Sequence, residues 1–214
     1  MTHFHRPTTF ARFSVLLLTI FLLSANSTMA LKIDAKSFPV KYKNELFYIG
    51  MPTGWCVDAS QWGGLDAFQN MVDLYHPFSD VVWFHLVKTF MPVEFDEIDQ
   101  AVAMAKMARE MRADNGKLVG EHLETVKVGG YPARILYFEN YEDNQTIVQK
   151  QYVIYLADSH IVLYCNEIFL KENQEKAERI GDPIINTVKI NKVKNPLDNP
   201  TVLRKVVEKE MSGE

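Results

Sequence analysis

The sequence predicts an α+β protein built on an antiparallel sheet of about six or seven strands, with helices on both faces. Three observations predict it. Val81 to Lys88 reads VVWFHLVK, apolar in both side-chain directions, which fits a strand covered above and below. Residues 95–114 place Ile98, Val102, Ala105 and Met111 at helical spacing. From Lys117 the period changes to two, and short turns punctuate the chain until Ile168.

Residues 1–30 carry a different signal. Arg6 and Arg12 precede the apolar run VLLLTIFLL, and the stretch closes on STMA with small residues at Thr28 and Ala30. Charge, short apolar core and small-residue cleavage site are the order of a secretory signal peptide. The run falls well short of the roughly 20 residues a spanning helix needs. Cleavage is expected after Ala30, with Ser27 as the alternative, leaving a product with no stable membrane insertion in the periplasm or outside the cell. Removing two Arg and no acid takes the formal charge from −4 to −6. An acidic body argues against nucleic acid as a partner. The full sequence is 47% apolar and 12% aromatic, material enough for one proper core in the mature chain.

The elements follow in order. Residues 31–44 mix charges with one Pro and read as an N-terminal arm. Glu45 to Met51 is a strand stopped by Pro52, Thr53 and Gly54, and residues 45–190 make up the domain. Asn70 to His76 and Asp80 to Thr89 are two strands about a Pro77 turn. The helix at Phe95 to Asp114 comes next, ended by Asn115-Gly116. Four meander strands follow at His122 to Val128, Ala133 to Tyr141, Thr146 to Ala157 and Ile161 to Ile168. Lys171 to Ile180 is a second helix, broken at Gly181 and restarted at Asp182-Pro183. Residues 191–214 are a linker and an amphipathic tail.

FYIGMPTGW at 47–55, the helix after VVWFHLVKTF, GGYPARILYFE at 129–139, the YVIYLADSHIVLYC hairpin and the closing INTVKI together resemble the PsbP/Mog1 family and its bacterial exported branch. The resemblance covers residues 44–190 and implies an α/β/α sandwich. It also implies an accessory or binding role, since members support photosystem II assembly or bind a small GTPase.

No catalytic spacing stands out. Neither G-x-S-x-G nor H-E-x-x-H occurs, and Ser159-His160 falls in a turn. His76, His85, His122 and His160 show no ligand-pair spacing, so neither a metal nor another cofactor is expected. Cys56 and Cys165 are an even pair in an exported chain, which suggests a disulfide; two buried thiols are the alternative.

Two modes of action are left. One is a non-catalytic module that docks a protein partner of the cell envelope or exterior through the aromatic loop of Trp62, Gly63, Gly64 and Phe68. The other is a carrier of a small amphipathic ligand, in a pocket between the sheet and the first helix lined by Tyr137, Tyr152, Met104 and Met107.

Overall fold

The computed structural model describes residues 38–65, 70–91, 97–110, 116–199, 203–205 and 207–208. The signal segment and Phe68 lie outside the described residues. Ten strands run β1 Val40–Lys43, β2 Phe47–Met51, β3 Cys56–Asp58, β4 Asn70–His76, β5 Ser79–Phe90, β6 Lys117–Val128, β7 Tyr131–Glu142, β8 Gln145–Leu156, β9 Ile161–Leu170 and β10 Lys189–Ile190. Among the described residues the helices α1 Ile98–Glu110 and α2 Gln174–Ile185 interrupt them, and 203–205 and 207–208 are also helical.

The principal sheet has seven antiparallel strands in the order β3-β4-β5-β9-β8-β7-β6. Its meander half is set by tight turns. Gly129-Gly130 joins β6 to β7 and Asp143-Asn144 joins β7 to β8, all four with positive φ. Two-residue turns of that handedness match the twist of the strands they connect. Gly129 has a second requirement, because a Cβ there would lie 2.8 Å from Ile190 Cγ1.

Alternation along each strand sorts side chains between two faces. On the inner face Phe84, Leu86, Ile154, Leu163, Cys165 and Phe169 form the main core with β2 and α2. On the outer face Leu136, Phe138, Val153, Tyr155 and Val162 pack beneath Ala101, Val102 and Ala105 of α1. The inner layer is not helix alone. β2 forms a separate three-stranded sheet with β1 and β10, and α2 packs beside it against β2, β5 and β9.

Several expectations need correction. β2 does not belong to the principal sheet; its seventh strand is the short edge strand β3. β1 lies inside the stretch read as an irregular arm, because Val40 and Tyr42 alternate with Lys41 and Lys43 against β2. α2 is continuous through Gly181, and Pro183 is accommodated in its last turn. β5 is not sealed on both sides. Phe84, Leu86 and Lys88 are buried on the inner face, but Trp83 is 37% exposed and His85 and Val87 are half-buried on the other. The physical reason is reach: α1 has 13 residues, about 20 Å at 1.5 Å each, and packs on β7 and β8. The strands covered from both sides are β8 and β9.

The Cys56–Cys165 bridge is also overturned, since both thiols are free. Cys56 pairs with Tyr75 on edge strand β3, whereas Cys165 points inward from β9, with β4 and β5 between. Three strand spacings of about 4.8 Å put them far beyond the roughly 7 Å limit for a disulfide. Burial further pushes the Cys165 thiol up, followed by the effect of nearby Glu167. Thiol titration of the native chain is expected to find Cys56 reactive and Cys165 silent until denaturant is added. A non-reducing peptide map that links the two would contradict the strand order.

Candidate functional site

Two constellations emerge from these faces, and of the residues that sequence patterning singles out only Tyr137, Tyr152 and Cys165 fall in either of them. The first lies on the inner face at the β8–β9 pair. Register places Lys150 opposite Glu167, Tyr152 opposite Cys165, and Tyr137 of β7 opposite Lys150. Glu178 and Asp182, one helical turn apart on α2, face this group from above. Lys150 Nζ donates to Asp182 Oδ1 at 2.6 Å and lies 3.9 Å from Glu167 Oε2 and 4.0 Å from Glu178 Oε1. The Tyr152 hydroxyl donates to the same Asp182 oxygen at 2.9 Å.

The charges here are unevenly satisfied. Lys150 and Glu167 side chains are 5% and 0% exposed. Burial works against the Lys150 ammonium, yet Glu167 and Asp182 outweigh it and hold its pKa above the ordinary value. Burial pushes Glu167 up to about 8; Lys150 opposes that rise, while Asp182 and Glu178 add to it. Neither oxygen of Glu167 has a hydrogen-bond partner among the described residues. An ionised carboxylate left in that state is costly, so burial favours the neutral acid, against the pull of Lys150 and the nearby Tyr152 hydroxyl. Burial likewise raises Tyr137 and, further, Tyr152.

Gly181 is why the carboxyl fits. A Cβ on that residue would lie 2.8 Å from Glu167 Cδ and 2.9 Å from Oε1. The absent side chain lets α2 lie directly on the acid.

The second constellation is on the outer face, where α1 does not reach. Tyr75 is 42% exposed and Trp83 37%; at the tip of the β4–β5 hairpin Phe78 is 93% exposed, its ring edge-on to His76, which in turn meets the core residue Trp55. Between the strands, His85 Nδ1 and Asp73 Oδ1 are 2.7 Å apart, and Asp58 stands opposite Asp73 on β3. A line of amides braces this face from below α1. Gln149 and Gln151 both donate to Asn166 Oδ1, at 2.6 and 2.8 Å, and Asn166 donates to the His85 carbonyl at 2.8 Å.

The residues expected to bind partners or ligands are distributed differently. Trp62 is half-buried against the core, its indole N–H donating to Glu45 Oε2 at 2.8 Å and its ring edge-on to Phe47 at 5.8 Å. Buried Asn70 fastens the same loop, accepting from Gly63 N at 2.7 Å and donating to the Gly64 carbonyl. Lys88, fully buried, donates to the Leu65 carbonyl at 2.8 Å. The loop is therefore tied to the body at four points. Tyr137 and Tyr152 are on the inner face, while Met104 and Met107 belong to α1 on the outer face. The sheet separates them, so they cannot line one pocket, and the carrier reading loses its lining. Among the described residues no group of three or more His, Cys, Asp or Glu is placed to hold a metal.

Sequence patterning passed over Lys150, Glu167, Asp182, Tyr75, Phe78 and Trp83. A signal for the first two was present, since a Lys and a Glu interrupt otherwise apolar strands. Their proximity depends on register, which residue identity alone does not give.

No protein-family model and no curated protein matches the chain. Solved structures do. The cyanobacterial PsbP protein CyanoP of Synechocystis superposes with a TM-score of 0.50 at 11% identity, over 71% of this chain and 92% of that one. LpqN of Mycobacterium tuberculosis, described as involved in cell envelope biogenesis, gives 0.48 at 13% identity, over 68% and 83%. A Bacteroides thetaiotaomicron protein gives 0.46 at 14%; the matched part spans 68% of this chain and 45% of that longer one. The architecture is thus the PsbP/Mog1-like fold: a seven-stranded antiparallel sheet with a three-stranded sheet and helices packed on it.

Gly181→Ala separates the site's geometry from helix propensity. Propensity alone would stabilise a mid-helix Ala by about 1 kcal/mol. Contact with the Glu167 carboxyl is expected to reverse the sign, costing roughly 1–3 kcal/mol in chemical denaturation. A more stable variant would show that α2 does not rest on Glu167.

Proposed function

We propose that this protein is an exported, non-catalytic accessory module of the cell envelope that docks a protein partner on the open outer face of β3, β4 and β5. The observation that carries the reading is the pair of exposed aromatics Tyr75 and Trp83 on the face that carries Asp58 and Asp73, with Phe78 exposed at the adjoining hairpin tip. Aromatic side chains on rigid strands bury much area at low entropic cost and are the commonest anchors of protein interfaces. Acidic neighbours and an acidic mature body favour a partner that presents Arg or Lys beside apolar surface. Such a group can stack on Trp83 and pair with Asp73 at once. The signal-like N-terminus supports export. The PsbP-like fold supports an accessory role, although a fold by itself does not assign one.

The test is affinity capture from an envelope extract, comparing the mature chain with Trp83→Ala and with Tyr75→Ala/Phe78→Ala. A partner that uses this face is expected to be retained at least tenfold less by either variant, and released by salt, while melting temperatures change little. Trp62→Ala is expected to lower stability, because that ring packs on the core. Equal retention of every captured protein by wild type and both outer-face variants would remove this surface from the proposal.

A further inference from the structure

The inner-face site contains three carboxyl groups and one ammonium; its deepest acid, Glu167, lies 3.9 Å from that ammonium and has no hydrogen bond among the described residues. We propose that the buried Glu167 carboxyl is a latch: α2 seats on the sheet over the neutral acid, and loosens progressively as the medium moves from acid towards neutral and the opened state gives up that proton.

The geometry carries the argument. Glu167 is fully buried, neither carboxyl oxygen is hydrogen-bonded among the described residues, and the α2 backbone at Gly181 lies directly on the acid. Every element packed around it can be taken in turn. β8 faces it with Lys150 and Tyr152, β7 with Tyr137, α2 with Glu178 and Asp182, and β9 itself with Cys165; β5 contributes only Phe84. The single cation, Lys150, is committed to Asp182 at 2.6 Å, leaving Glu167 at 3.9 Å.

Ionising Glu167 therefore brings the cluster from zero to net −1 when Lys150 and Asp182 are charged, and to −2 with Glu178, the two α2 acids being partly open to water. Two of those three acids ride on α2. Lifting the helix hydrates Glu167 and separates it from Asp182 and Glu178 in one movement. The C-terminal end of α2 is held independently: Gly50 N donates to Thr187 Oγ1 at 2.7 Å, and Ile184 and Ile185 are buried in the core. Loosening is thus expected in the segment before Pro183, with the Thr187 attachment kept.

The direction in pH follows from linkage. The seated state holds its proton up to about pH 8, and an opened state releases it near the ordinary 4.5. Opening therefore releases a proton between those values and becomes easier by up to about tenfold per pH unit, levelling off above the seated value.

Hydrogen exchange of the mature chain, read by mass spectrometry from pH 5 to 9.5 and corrected for intrinsic rates, tests this. Protection of residues 174–182 is expected to fall between pH 5 and 8 and then level, while β8 and β9 stay protected throughout. In Glu167→Gln the profile is expected to be flat at the wild-type acid value. Flat protection in wild type, or a slope that persists in Glu167→Gln, would overturn the latch. Should that variant not fold, the ¹³C titration of the Glu167 carboxyl in wild type decides: a midpoint near 8 upholds the proposal and one near 4.5 overturns it. Partner capture on the outer face is read separately, so either proposal can fail without the other.

Discussion

Coverage of β8 and β9 from both sides is the constraint on which the rest of the molecule depends. Nine consecutive residues of β8, Val148 to Leu156, are buried. Neither strand has a wet face on which a misregistered side chain could be tolerated. A one-residue slip would exchange the partners of α1 for those of α2 all along the pair, so register is strongly fixed. Everything functional is then assigned by parity. Odd positions from Gln149 to Tyr155 belong to α1 and the outer face, and even positions from Lys150 to Leu156 to α2 and the inner core.

This accounts for a feature that would otherwise be costly without reason. A Lys and a Glu facing each other across the inner side of adjacent buried strands meet inside the core, where a hydrophobic pair of similar volume is often as stable or more so. The arrangement holds together because Asp182 satisfies Lys150 and Tyr152 together, and because burial favours the neutral form of the acid left over. The outer face solves a different problem. α1 covers the meander half, while the β3–β5 half is braced by amides and left with aromatics in water, an arrangement suited to an intermolecular contact.

Much of the architecture was legible in the sequence, and the errors have specific causes. The meander could be read because its strands are rich in β-branched and aromatic residues and its turns carry the glycines and Asp-Asn that such turns require. α1 was legible from Ile98, Val102 and Ala105. Val81 to Lys88 misled because Trp83 and Val87 are apolar without being covered; hydrophobicity reports what a residue tolerates, and only the length and placement of α1 say what it receives. Gly181 was read as a helix breaker when its role is contact. Tyr137 and Tyr152 were grouped with Met104 and Met107 because facing requires register, and register emerges from long-range pairing. Trp62 looked exposed beside Gln61 and two glycines, yet Asn70 and Lys88, distant in the chain, pull its loop onto the core.

The two-sided assignment of β8 and β9 is tested most directly by methyl and aromatic NOEs in solution. Val153 and Val162 are expected to show cross-peaks to Ala101, Val102 and Ala105, and Ile154 and Leu163 to show none to α1. Cross-peaks from Ile154 or Leu163 to α1, or from Val153 to Ile184, would place the helices on the wrong faces and contradict the account.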